Sequence, residues 1–190
     1  MNSHELRLWD LIKDKNVLIV GNSNTLLKKD NSELINSYEF VVRFNLSIQH
    51  YHKYSSLGTK CDAWIYAMSH TKRIIDVWNK SQAKPLHCIR YGPEKMQIGP
   101  YKYFINSNLV KSTLRKELEL PKSKHPTTGI ATIWYFLNKT SAKSISLIGF
   151  DSFKSVNFYT RKNGSEQWHN YNSEREWIYN KVKEKKINLI

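Results

Sequence analysis

The sequence predicts an α/β sandwich. Short runs of β-branched and apolar residues alternate with segments of helical periodicity, the glycines and prolines are scattered singly, and no linker, repeat or low-complexity tract divides the chain. At 190 residues the chain has the length of one domain with room for a sizeable core, so 1–190 is read as a single unit.

Taken in order, Leu6, Trp9, Leu11 and Ile12 mark a short amphipathic helix, and Asn16 to Val20 is a fully buried strand running into Gly21. A helical stretch around Ser32 to Ile35 precedes a strand at Phe40 to Phe44. Then come a strand at Ala63 to Ala67, a helix at Thr71 to Lys80, a strand at Leu86 to Arg90 and a helix at Leu109 to Leu118. Pro126 and Thr127 or Thr128 start the next helix, in which Ile130, Ile133, Trp134 and Leu137 recur on one face, and Ile145 to Ile148 is the strand it feeds. A last helix is expected from Ser173, with Ser173 to Glu176 as a capping box and Trp177, Ile178 and Val182 as its buried side. Ile187 to Ile190 closes the sheet edge.

Composition excludes several classes. With 13% aromatic residues the chain is too apolar for a disordered basic tail, and its net charge of +14 calls for an anionic partner without choosing among nucleotide, acidic glycan, nucleic acid and anionic lipid. Cys61 and Cys88 have neither zinc-ligand nor disulfide-framework spacing, which fits a reducing compartment. The first 16 residues are too charged for a signal peptide, and the longest nearly apolar run, Ile130 to Leu137, is far short of the ~20 residues of a bilayer span. A cytoplasmic location follows as the expectation, with any membrane contact peripheral. The basic run Lys181, Lys183, Lys185 and Lys186 is read as the solvated end of the last helix rather than a lipid anchor. The four N-x-[ST] triplets, beginning at Asn45, Asn79, Asn138 and Asn163, are read as ordinary polar residues.

Gly21-Asn22-Ser23 follows a buried strand, and such a turn offers backbone N–H groups and an Asn amide to a phosphate or ribose. Neither G-x-G-x-x-G nor G-x-x-x-x-G-K-[ST] occurs, which withdraws the usual support for hydride transfer and ATP hydrolysis. Arg43 and Asn45, two apart at a strand end, are expected to reach the same site mouth. Thr127, Thr128 and Gly129 sit at a helix start, where free N–H groups favour an anion.

These segments together resemble the sialylmotifs of the animal-type sialyltransferase family. Val20-Gly-Asn-Ser23 with Arg43-Phe-Asn45 and Gly58 is similar to the large motif. His125-Pro-Thr-Thr-Gly129 with Ser146-Leu-Ile-Gly-Phe-Asp151 is similar to the small motif, and His169 with Glu174, five positions on, resembles the very small motif. The resemblance spans roughly 17–174 and places the chain near short bacterial or viral members. It implies a GT-A-like variant of the Rossmann-like three-layer α/β/α sandwich with a mostly parallel sheet. The implied chemistry is inverting, metal-independent transfer of sialic acid, or of a related keto-sugar acid such as 3-deoxy-octulosonate, from CMP to a glycan hydroxyl. Neither a cofactor nor a metal is expected, in keeping with the absence of an Asp-x-Asp pair.

By the resemblance, Asn22 and Asn45 hold phosphate and ribose. Gly21, Ser23, Thr127, Thr128 and Gly129 surround the nucleotide, Gly149 and Phe150 line the base pocket, and His169 is the general base. Arg43, Tyr159 and Glu174 play supporting parts, Glu174 by orienting or capping its loop. The family's third motif carries a His beside a Tyr, where this chain has Phe158-Tyr159, and His125 replaces a usual Tyr and is read as a substitute phosphate donor. The cysteine pair of secreted relatives is absent, which agrees with a cytosolic homologue lacking a Golgi anchor. Expected partners are a CMP-sugar and a glycan such as lipopolysaccharide or capsule. Two other readings stay open: a basic nucleic-acid-binding module with aromatic stacking platforms, and a degenerate homologue that binds CMP without turnover.

Overall fold

The computed structural model describes residues 10–67, 71–81, 84–92, 103–151, 154–159 and 168–190. Seven strands form one sheet: β1 (Asn16–Val20), β2 (Phe40–Phe44), β3 (Ala63–Tyr66), β4 (His87–Gly92), β5 (Tyr103–Asn106), β6 (Ser144–Ile148) and β7 (Asn188–Leu189). Their spatial order is β5-β4-β3-β2-β1-β6-β7, and every pairing among the described strands is parallel. The helices are α1 (Ser32–Ser37), α2 (Thr71–Lys80), α3 (Ser107–Glu117), α4 (Thr128–Lys139) and α5 (Tyr171–Lys183). Leu6 and Trp9 of the expected first helix lie outside the described residues; residues 10–12 are helical.

Strands buried on both faces suit an all-parallel sheet, and β2 is buried along its whole length. Val17, Ile19, Phe40 and Val42 face one core with Leu114 of α3, Ile133 of α4 and Ile178 of α5. Leu18, Val20, Val41 and Trp64 face the other, with Ile35 of α1, Val77 of α2 and the 3-10 turns between β2 and β3. Helices on both sides make the three layers that the sequence predicts.

Several boundaries differ from expectation. β4 starts at His87, leaving Leu86 largely exposed, and runs on to Gly92. β5 is an additional edge strand. Helix α3 begins at Ser107 because the Asn106 side chain accepts from the Asn108 and Leu109 N–H groups. Helix α5 begins at Tyr171, not Ser173: Asn170 caps it by accepting from Ser173 N, so the expected capping box does not form. The basic run after α5 is a solvated end, with Glu184 pairing both Lys181 and Lys186.

β1 is the point where the topology divides. The chain leaves it on one side through β2 to β5 and returns on the other as β6, and loops diverging at the carboxyl ends of such strands open a crevice. The register pairs Val20 with Ile148, so Gly21 and Gly149 emerge side by side.

Candidate functional site

A cavity of about 230 Å³ occupies that crevice. Gly21, Asn22 and Ser23 enter it from β1, Phe44 and Asn45 from β2, and Gly149, Phe150 and Asp151 from β6. Thr127, Thr128, Gly129 and Ile130 contribute the start of α4, and His169, Tyr171, Glu174 and Ile178 the approach to α5 and its first turns. Residues from far-separated parts of the sequence therefore meet at one rim.

Gly21 and Gly149 set the floor. A Cβ on Gly21 would lie 2.2 Å from the Gly149 carbonyl oxygen, and Gly149 itself has φ +72°, so both positions require glycine for contact and conformation respectively. Gly21 N donates to Ile148 O at 2.7 Å and Ser23 N to Gly149 O at 3.3 Å. Phe150 meets Phe44 edge to face, with centroids 6.3 Å apart.

Above the floor, helix α4 presents its N-terminus. Thr127 caps it, its hydroxyl accepting from Ile130 N at 3.3 Å. The Thr128 and Gly129 N–H groups precede the first intrahelical donor, Ala131 N, which bonds to the Thr127 carbonyl, and they add the positive end of the helix dipole to the cavity. Thr127 is itself clamped by Glu174. Its N–H donates to Oε1 at 2.7 Å and its hydroxyl to Oε2 at 2.8 Å. Burial pushes the Glu174 carboxyl up to about 7, against the lowering effect of those two bonds.

His169 is half-buried at the cavity wall. Its Nδ1 lies 2.7 Å from the His125 carbonyl, which can only accept, so the proton of the neutral ring sits on Nδ1 and Nε2 keeps its lone pair. Burial moves the imidazole below its usual pKa, with Lys111 and Lys124 adding to the lowering and the His125 carbonyl opposing it. Lys124 Nζ donates to the His169 carbonyl at 3.1 Å, and His125 N donates to the Trp168 carbonyl at 2.8 Å. Together these contacts tie the loop of the imidazole to the entrance of α4.

Two expected placements change, those of Arg43 and His125. Arg43 does not line the cavity. It is fully buried beneath the opposite face of the sheet, 4.1 Å from the Tyr51 ring centroid, and donates to the Lys60 and Leu57 carbonyls at 3.0 and 2.6 Å. Asn45 leaves the strand with φ +44°, which breaks the two-residue alternation and turns it into the cavity alone. The His125 ring is likewise outside the cavity lining, and its contribution to the site is the backbone carbonyl.

Ser23 does line the cavity, but its hydroxyl is engaged with Asp151 Oδ2 at 2.9 Å, Ser155 Oγ at 2.8 Å and Thr25 Oγ1 at 2.6 Å. Asp151 and Ser155 carried no assigned role in the sequence; a carboxylate directly after the Gly149-Phe150 strand end was the available signal. Tyr159 sits behind Asn22, whose Nδ2 donates to its hydroxyl at 3.2 Å, and stacks on His50 with centroids 5.5 Å apart. Phe158 is buried in the core between Tyr54 and Tyr159, away from the cavity.

No protein-family model and no curated protein sequence matches the chain. Solved structures do. The chain is similar to a mammalian sialyltransferase at TM-score 0.65 and 14% identity, covering 98% of this chain and 77% of that one. It is also similar to the sialyltransferase CstII from Campylobacter jejuni in complex with cytidine-5'-monophosphate, at TM-score 0.60 and 21% identity over 93% and 79% of the two chains. The monofunctional α-2,3-sialyltransferase Cst-I from Campylobacter jejuni matches at TM-score 0.56 and 16% identity, over 93% and 74%. The fold is that of the sialyltransferases. Among the described residues no helix is long and apolar enough to cross a membrane.

Proposed function

We propose that the protein transfers sialic acid, or a related keto-sugar acid such as 3-deoxy-octulosonate, from its CMP donor to a glycan hydroxyl, with inversion and without a metal. The observation that supports this best is the meeting of the Gly21-Asn22-Ser23 turn, Asn45, the α4 N-terminus, the Gly149-Phe150 turn and His169 around one cavity. One structural relative was solved with CMP and another with Gal-beta-1-3GalNAc-ortho-nitrophenol.

In this reading the Thr128 and Gly129 N–H groups and the Asn22 amide receive the anionic end of the donor. The buried Asn22 Oδ1 has no partner among the described residues; rotating the amide by 180° lets Tyr159 donate to it and frees the NH2 for a donor phosphate. Phe150 packs against the base. The acceptor oxygen attacks the anomeric carbon as the bond to the phosphate oxygen breaks. CMP leaves with that electron pair, and His169 Nε2 takes the hydroxyl proton. Glu174 is a positioning residue, holding Thr127 so that the helix start faces the donor. Among the described residues no three His, Cys, Asp or Glu side chains gather where they could hold a metal ion, and a single donor phosphate can be met by N–H groups alone.

The test is to incubate the protein separately with CMP-sialic acid and CMP-octulosonate, with and without a glycan panel, and measure CMP release. Acceptor-stimulated release is expected with one donor. Release from neither, with no thermal stabilisation by CMP, would remove the proposal.

A further inference from the structure

Next to His169 in the chain stands an exposed indole, and Lys124 donates to the His169 carbonyl beside it. Trp168 keeps 53% of its surface in water although its carbonyl is fixed by His125 N. Lys124 reaches the His169 carbonyl, and Lys111 and Arg115 lie one turn apart on the same side of α3. Arg115 is held by donating to the Pro121 carbonyl at 2.8 Å. The loop from Pro121 to Lys124 thus joins the Arg115 side of α3 to His169, and the Lys111 charge bears on both His125 and His169. Among the described residues, none of these three cations takes part in an ion pair. Glu117, on the same helix, is committed elsewhere, accepting from the Trp134 and Trp177 indoles at 2.7 and 3.0 Å.

We propose that this rim is the acceptor platform and that it selects an acidic glycan, one sugar ring stacking on Trp168 while a carboxylate or phosphate substituent is held by Lys111, Arg115 and Lys124. The inference rests on the transferase reading of the cavity and adds the substrate class. One indole matches one pyranose face, and Lys111, Arg115 and Lys124 lie on one helical turn and the adjoining loop, a footprint that suits a single anionic substituent. Transfer also adds a second negative sugar to a negative acceptor, and local positive charge offsets that repulsion.

The experiment has two stages. CMP affinity by calorimetry and CMP release without acceptor test the transferase reading alone; loss of both there condemns that reading and leaves the platform without a reaction to serve. With CMP binding intact, initial rates at low salt are compared for one oligosaccharide core carrying no charge, a uronic acid or a phosphate. An exposed ion pair is typically worth about twofold, so three predict a preference of roughly tenfold in kcat/KM for at least one acidic form, fading as salt is raised. The better of the two acidic forms identifies the substituent.

Lys111→Glu should abolish the preference, and Lys111→Ala reduce it, with CMP affinity retained in both. Trp168→Ala should raise KM for every acceptor with little change in kcat. Equal kcat/KM on neutral and acidic cores overturns the inference, as does a preference that survives Lys111→Glu. Stimulation by anionic phosphatidylglycerol vesicles with no gain from soluble acidic glycans also overturns it, in favour of a lipid surface.

Discussion

His169 Nδ1 and the His125 carbonyl oxygen lie 2.7 Å apart, a contact that fixes the tautomer and leaves Nε2 as the basic nitrogen of a residue lining the cavity. His169→Ala should lower transfer by about 10²- to 10⁴-fold while leaving CMP affinity near wild type. A variant with wild-type kcat would show that another group takes the proton.

The same imidazole sets the pH profile. A base must be neutral, and the His169 pKa is lowered, so kcat/KM should rise with pH through a midpoint below the ordinary histidine value of about 6.5 and be flat above it. An ascending limb centred above neutrality would contradict the assignment.

Glu174 predicts a stability change of opposite sense to the usual carboxylate. Its folded pKa is raised from 4.5 to about 7, so the native state holds the proton more tightly than the unfolded chain. The stability this supplies is complete below about pH 4.5 and is lost as pH rises towards 7, on the order of 3 kcal/mol in total. Glu174→Gln should flatten that slope in denaturant titrations while keeping a partner for the Thr127 N–H. Glu174→Ala leaves that N–H unsatisfied and should cost about 1–3 kcal/mol. A wild-type stability curve rising from pH 4.5 to 7 and unaltered in the Gln variant would refute this account.

Asn22→Ala removes an amide expected to meet the donor phosphate. A hydrogen bond to a charged group is worth about 1.5–3 kcal/mol, so CMP affinity should fall by at least about tenfold in a calorimetric titration. An unchanged Kd takes Asn22 out of the pocket.

Added chelator should leave the rate unchanged, and magnesium or manganese should not raise it. Activity lost to chelator and restored by a divalent ion would mean that the phosphate is met by a cation and not by N–H groups.

The frame was legible in the sequence where local and global demands agree. Asn16–Val20 and Phe40–Phe44 fall where their apolar β-branched runs place them, and the Thr127 cap is where helix-start chemistry puts it. β5 was not legible: Tyr103–Asn106 buries only Phe104 and Ile105 between partly exposed ends, whereas the equally short β3 is buried throughout. Arg43 was misplaced because the alternation rule holds only while the strand continues, and Asn45 departs from it with positive φ. The part played by His125 was hidden for another reason: it is made by a carbonyl oxygen, a group every residue possesses. Asp151 and Ser155 meet Ser23 only after the chain has closed on itself.

The contact between Gly21 and Gly149 makes the crevice a slot of fixed gauge, because main-chain atoms and not side chains set the spacing of its walls. Under the proposed function, rim residues can then be exchanged to suit new acceptors without altering the bed proposed for the nucleotide, so acceptor range and donor identity would be free to diverge at different rates.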